Sequence, residues 1–162
     1  MTPRYGMVSC YVVQPDSLGA LNELLQLHRA PGEFMAGAWS IVRGRIQAPE
    51  KAWQAALREL KEETGLVPGP GQFFQLDTVD TFYLAADDSV WHLPGFCAVI
   101  GRNATITLNS EHDNSRWVSR DQVDQEFLWP GERRQVEEII REIMDDGPAK
   151  QYLGIRDFEP TW

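Results

Sequence analysis

Between Gly44 and Leu66 the chain reads GRIQAPEKAWQAALRELKEETGL, a helix with signals at both ends and a last turn that carries the wrong charge. Pro49 suits a first helical position, where its missing N–H costs nothing, and Glu50 in the opening turn complements the positive end of the helix dipole. Ala48 before them is a poor cap. Gly65 can take the left-handed conformation that closes a helix, and Leu66 beyond it can fold back onto Leu60. The spacing therefore predicts a helix over 49–64. At about 100° per residue, Trp53, Ala56, Leu57 and Leu60 share one face, the stripe that packs on a core. Glu59, Glu62 and Glu63 share a neighbouring face, and Ala52 and Ala55 lie on that face one and two turns earlier. It is bare of bulk beside its acids, which leaves room for a ligand.

A surface helix placed for stability alone would carry Lys or Arg in its last turn. Here Glu62 and Glu63 stand there with only Lys61 beside them, and each misplaced charge costs about 0.3 to 1 kcal/mol. Like charges about 4 Å apart repel by up to roughly 4 kcal/mol at an effective dielectric near 20. Clustered carboxylates must therefore splay, take up a proton or share a cation. Local physics leaves two readings open, a metal site and a solvated acidic face with its glutamates pointing apart.

The same segment resembles the Nudix box: Gly, five residues, Glu, seven residues, then Arg-Glu-apolar-any-Glu-Glu-any-Gly-apolar. Gly44, Glu50, Arg58, Glu59, Leu60, Glu62, Glu63, Gly65 and Leu66 occupy its fixed positions in register. The resemblance implies a hydrolase that cleaves a nucleoside diphosphate linked to another group, with Mg²⁺ or Mn²⁺ and an attacking water. It implies Glu59, Glu62 and Glu63 as metal ligands, one of which could double as the base. Arg58 would pair with a box carboxylate through its planar fork. Glu50 and Gly44 would support the site, and Arg43 would offer its backbone carbonyl to the metal. This copy departs from the commonest form of the family, in which two glycines open the loop and an acid and a further glycine follow. Arg43 replaces the first glycine, Gln47 the acid and Pro49 the later glycine.

One hundred and sixty-two residues fit one domain over 1–162, enough to bury roughly 70% of the unfolded surface in a single core. The formal charge of -9 argues against nonspecific binding to nucleic acid or anionic membranes. It would repel a triphosphate that came without its cations. No apolar run approaches a membrane span, and MTPRYGMVSC lacks a signal-peptide core. The sequence thus predicts a cytoplasmic protein with a small phosphorylated substrate as its partner, and leaves a homodimer open. Cys10 and Cys97 lie far apart in apolar segments, which predicts buried thiols rather than zinc ligands or a bridge.

Strands are predicted near 8–13, 22–28 and 39–42, before the helix, and near 73–84 and 90–100 after it, the last two joined by a turn at Asp87-Asp88-Ser89. Trp117-Val118 reads as a short final strand. Helices are predicted near 120–127 and 132–144, the second with Val136, Ile139, Ile140 and Ile143 at helical spacing. This order fits an α/β fold with a mixed sheet between helices, and the resemblance implies the same α/β/α sandwich. The segment 147–162 reads either as an ordered strap or as a loose tail.

Beyond the box, Glu111 opens EHDNSRWV, which resembles the later acidic loop through which many Nudix enzymes bring another carboxylate to the metals. The resemblance implies Glu111 as a ligand or as the base. His112 is an alternative base, since its ordinary pKa lies near neutral, against the simpler reading of a solvated loop histidine. His28 and His92 fit structural roles. Arg29, Arg43, Arg45 and Lys51 surround the approach to the helix and are candidates for a phosphate clamp, with forked donors on the arginines; solvated surface charge is the alternative. Trp39, Trp53 and Trp117 follow packing patterns, which leaves Trp91 and Trp129 as candidates for a ring-stacking wall.

TFYLAADDSVWHLPGF ahead of SEHDNSRWV is similar to the dihydroneopterin triphosphate pyrophosphatase branch of the family. The substrate that follows is dihydroneopterin triphosphate or a dNTP of similar shape, with dinucleoside polyphosphates and nucleotide sugars as alternatives. A module that binds a nucleotide without hydrolysing it is the reading from a different class.

Overall fold

A computed structural model describes residues 1–156. The chain opens with a short exposed strand, β1 (Thr2–Arg4), followed by β2 (Met7–Pro15) and β3 (Leu21–Arg29). β2 is buried over nearly its whole length. Its run VSCYVV, apolar on both faces, marks a strand covered from both sides. Two short strands follow, β4 (Trp39–Ser40) and β5 (Val42–Arg45), and then α1 (Ala52–Thr64). After α1 come β6 (Phe73–Gln75), β7 (Asp80–Leu84), β8 (Ser89–Leu93), β9 (Gly95–Val99) and β10 (His112–Ser119). The described chain closes with α2 (Val123–Glu126), α3 (Pro130–Glu138) and α4 (Lys150–Leu153).

The larger sheet runs β10-β3-β2-β9-β6, with β4 paired to β3 and β5 to β2. It is mixed, because β2 and β9 run parallel while its other pairs are antiparallel. Alternation along β2 sends Val8, Cys10 and Val12 to the α1 side, and Tyr11 and Val13 to the side covered by α2 and α3. The expected α/β/α sandwich is therefore the observed fold. A second sheet, β1-β8-β7, lies beside it.

Several sequence boundaries shift. The predicted strand 90–100 is two strands, because Pro94 has no N–H for a ladder; β8 ends before it in the small sheet and β9 starts after it in the large one. The predicted strand 73–84 likewise splits between the sheets, with the Asp77 and Thr78 N–H groups turned to the Glu138 carboxylate at 2.7 and 2.9 Å. The segment 39–42 divides into β4 and the start of β5. β10 is longer than the expected pair Trp117-Val118, since as a sheet edge it tolerates the polar run HDNS. Helix 120–127 is a 3₁₀ turn followed by the single α-turn of α2, and the helix expected from 132 starts at Pro130 and ends as a π-turn over 139–144. The described part of the tail is an ordered strap, since Ile155 N–H donates to the Phe73 carbonyl at 3.0 Å. Its last six residues lie outside the described ones. Cys10 and Cys97 are both free and buried, as expected.

Helix α1 begins three residues later than its sequence predicts. Lys51 is the cap residue, and its N–H donates to the Gln54 side chain at 2.8 Å. Pro49 follows a cis peptide bond and lies in the loop, and Glu50 is outside the first turn. The far end is as expected, with Gly65 left-handed at φ 72 and its N–H on the Lys61 carbonyl at 2.8 Å. Leu60 and Leu66 share one core with Ala56 and Leu57, and Trp53 packs on its margin. Ala55 is also in that core and Ala52 packs against it, so their face is covered rather than open to a ligand. Leu60→Ala is expected to cost about 2 to 5 kcal/mol by removing a fully buried side chain. Urea unfolding checks this, and a loss below about 1 kcal/mol would contradict the packing.

Candidate active site

Arg58 organises the acidic end of α1. Its Nη2 and Nε donate to the two Glu50 carboxylate oxygens at 2.8 and 3.1 Å, a forked pair between the helix and the loop before it. Nη1 donates to Glu59 at 2.8 Å and to Glu62 at 3.2 Å, while Nη2 also reaches the Arg45 carbonyl at 2.8 Å. The pairing of Arg58 with box carboxylates that the resemblance implied is thus present in the geometry. These bonds hold the Glu50 carboxyl below its ordinary range, with the Gln47 N–H as a second donor at 2.7 Å. One guanidinium cannot neutralise three carboxylates. Burial pushes the Glu59 acid up in spite of Arg58, and the charges of Glu62 and Glu111 push it further.

Gly44 makes room for this arrangement. A Cβ there would overlap the carboxyl group of Glu59, so strand β5 and α1 approach closely only because position 44 has no side chain. The Glu59 carboxylate is held between that bare backbone and Arg58.

Glu63 takes the opposite direction. It is 1% exposed, and its Oε2 has no hydrogen-bond partner among the described residues. Burial first, and then the charges of Glu111 and Glu59, push its acid up to about 9, against a backbone hydrogen bond from Arg43. His112 Nδ1 stands 3.9 Å from Glu63 Oε2 and is also unpartnered among the described residues. The reading of His112 as a solvated loop residue is therefore corrected, since it opens β10 and is 4% exposed. Burial, with Arg29 nearby, pushes it down to about 4, so the ring is neutral near pH 7. Glu111 lies just before it, 3.5 Å from Arg29, which also reaches Glu33 at 3.6 Å and the Phe34 carbonyl at 3.1 Å.

Among the described residues, no three acidic, His or Cys side chains are placed so as to cage a metal ion. Two arginines explain the spread, because Arg58 draws Glu59 and Glu62 while Arg29 draws Glu111. The residues nevertheless fit a hard divalent cation. Their donors are carboxylate oxygens, the charge of Glu111 raises the acids of both Glu59 and Glu63, and one buried carboxylate oxygen has no hydrogen-bond partner among the described residues. Nudix enzymes as a class use divalent metal ions.

The four cations expected to clamp phosphate each have a different partner, and Arg43 leaves the group. Arg29 serves the Glu111 side, Arg45 is exposed beside Arg58, and Lys51 caps α1. Arg43 crosses to the other face of the sheet, where its Nη2 meets Glu132 at 3.1 Å. Sequence reasoning passed over Glu132, although the signal was there. It stands one turn before Val136 on the apolar stripe of α3, and an acid on such a stripe must be paired when it is buried, here to 2% exposure.

A family model described as the NUDIX domain matches residues 7–139. The chain belongs to that family. It is 35% identical over 119 residues to an octanoyltransferase of Myxococcus xanthus, covering 72% of this chain and 31% of that protein. It is 30% identical over 128 residues to a Mycobacterium tuberculosis protein named for 8-oxo-dGTP diphosphatase activity, covering 79% of this chain and 58% of the other. The chain thus spans less than two thirds of the length of both relatives. Among solved structures, the Nudix hydrolase RenU of M. smegmatis superposes with a TM-score of 0.65 at 25% identity, covering 88% of this chain and 89% of that one. No helix among the described residues is long and apolar enough to cross a membrane.

Proposed function

We propose that the chain hydrolyses a phosphoanhydride bond in a nucleoside triphosphate or a compound of similar shape. Dihydroneopterin triphosphate and dNTPs are the first candidates. The observation that carries this reading is the group Glu59, Glu63 and Glu111: the charge of Glu111 raises the acids of Glu59 and Glu63, Glu59 raises Glu63 further, and the buried Glu63 Oε2 has no hydrogen-bond partner among the described residues. The name of the M. tuberculosis relative supports a dNTP-like substrate.

Glu59, Glu62, Glu63 and Glu111 are assigned to hold Mg²⁺ or Mn²⁺, with the Arg43 carbonyl as a further oxygen. Such a cation supplies positive charge to substrate phosphates and lowers the pKa of a water. Arg58 positions Glu59 and Glu62. Glu111, half-exposed on the loop ahead of β10 and 3.5 Å from Arg29, is assigned either to that ligand set or to taking a proton from the attacking water. Arg45 and Arg29 supply donors to the phosphates.

A screen of dNTPs, 8-oxo-dGTP, dihydroneopterin triphosphate, a dinucleoside tetraphosphate and a nucleotide sugar tests this reading. Phosphate and pyrophosphate release is followed with Mg²⁺ and with Mn²⁺. The expected result is release from a triphosphate that stops with EDTA and returns when the metal is restored. Tight binding without release from any compound would replace the hydrolase with a nucleotide-binding module.

A further inference from the structure

Glu63 Oε2 and His112 Nδ1 are buried side-chain atoms without a hydrogen-bond partner among the described residues, one an acceptor and the other able to donate. They face each other at 3.9 Å, with side chains 2% and 1% exposed. An unmatched polar group is costly in such a place, and each of these atoms is what the other lacks.

The register of the sheet edge puts His112 there. It stands opposite Arg29 across β10 and β3, and the Ala30 N–H donates to the Glu111 carbonyl at 2.9 Å. The pairing shifts between His112 and Asn114, an irregularity of the kind that re-aims a side chain at a strand end. His112 is buried, while Asp113 and Asn114 after it are exposed. Facing residues on paired strands project to the same side. The Arg29 guanidinium accordingly reaches the far edge of the ring, with Nη1 3.5 Å from His112 Nε2.

A neutral imidazole has one N–H and one lone pair, and its neighbours set which nitrogen carries which. Here the two neighbours agree. A guanidinium can only donate, so the lone pair belongs on Nε2 facing Arg29. A carboxylate accepts, so the hydrogen belongs on Nδ1 facing Glu63. Both separations are long for hydrogen bonds, but charges this far from solvent are weakly screened and orient the ring in one sense. The last torsion of a glutamate is soft, so the Glu63 carboxyl group can turn to meet the Nδ1–H.

We propose that His112, held by Arg29 as the Nδ1–H tautomer, is a positioning residue that donates to Glu63 and aims its carboxylate at the cation. The role rests on the assignment of Glu63 to the cation site above. Arg29 thereby ties two acids of the site together, since it reaches Glu111 directly at 3.5 Å and Glu63 through the ring. The same contacts exclude His112 as the base, because its one lone pair is turned to a guanidinium.

The tautomer can be measured on the whole protein in EDTA at neutral pH, by long-range proton–nitrogen NMR correlations with ¹⁵N-labelled histidine. The sequence has three histidines, and the signals that persist in both His28→Gln and His92→Gln belong to His112. Its hydrogen is expected on Nδ1, whereas an unconstrained histidine favours Nε2. Mn²⁺ binding without nucleotide, followed by the electron paramagnetic resonance of the free ion, is the second measurement. His112→Ala is expected to weaken it about tenfold or more, the usual scale of losing a donor behind a metal ligand. His112→Asn, whose amide nitrogen takes the place of Nδ1, is expected to stay within about threefold of wild type. His112→Gln, whose amide reaches toward the Nε2 position, should bind as weakly as the alanine variant. A merely structural role would not separate asparagine from glutamine in this way. A hydrogen on Nε2 in wild type, a His112→Ala affinity within about threefold of wild type, or equal losses in His112→Asn and His112→Gln would each overturn the proposal. If none of these His112 variants folds, the wild-type tautomer decides alone. Wild-type protein that binds no Mn²⁺ would overturn the cation site itself, whereas the other adverse outcomes leave that site standing.

Discussion

Glu59→Gln is expected to lower kcat/KM for the triphosphate found by screening by at least about 10²-fold, the scale of losing one preorganised electrostatic contact at a reacting centre. Glutamine keeps the shape of the side chain and its place above Gly44 but removes the charge. The activity remaining should also require more Mg²⁺, because one oxygen donor of the proposed set has become a weaker ligand. Stability should move the other way. Burial and the neighbouring charges of Glu62 and Glu111 push the Glu59 acid up even with Arg58 at 2.8 Å, so folding disfavours its ionised form near neutral pH. A neutral isostere relieves that repulsion, and the Tm should equal or exceed that of wild type. Activity within a few-fold of wild type at low Mg²⁺ would remove Glu59 from the cation site. A large fall in Tm would show that the carboxylate serves mainly to hold Arg58.

The architecture was legible in the sequence because two periodicities are strong in it. Apolar residues three and four apart place α1 against the sheet, and runs such as VSCYVV mark the central strand. What was lost lay where one residue governs a boundary. Pro94 separates two strands that composition joins, and Lys51 caps a helix that Pro49 was expected to start. The acidic box was legible as spacing but not as direction. Glu62 and Glu63 are adjacent on the helix, yet one is exposed while the other is buried, because the helix turns about 100° between them. His112 could not be placed from sequence, since its burial depends on β3 and β10 pairing antiparallel across the sheet edge. The same limit applied to Arg43. Its neighbours in sequence suggested a phosphate clamp, whereas alternation along β5 turns its side chain to the α3 face and leaves only its backbone beside Glu63.

The glycine that follows Arg43 gives the sharper test of how closely the loop and helix must approach. Gly44→Ala is expected to lower kcat/KM by about 10²-fold or more while the fold persists. Its backbone is not in the left-handed region, so alanine meets no conformational penalty of its own. The entire effect must come from the added methyl, which would overlap the Glu59 carboxyl group. Either Glu59 leaves Arg58, or β5 and α1 separate; the first disperses the carboxylates and the second lengthens the reach from the Arg45 carbonyl to Arg58. Overpacking of this kind costs about 1 to 3 kcal/mol. The two routes separate in a double variant, because Gly44→Ala with Glu59→Ala removes the obstructing side chain. Stability should then recover most of what Gly44→Ala lost, and activity should not recover at all. Gly69→Ala is the matched control, since a Cβ there meets nothing within 4 Å. If Gly44→Ala behaves like that control in both stability and turnover, the close approach of Glu59 to β5 does not exist in solution.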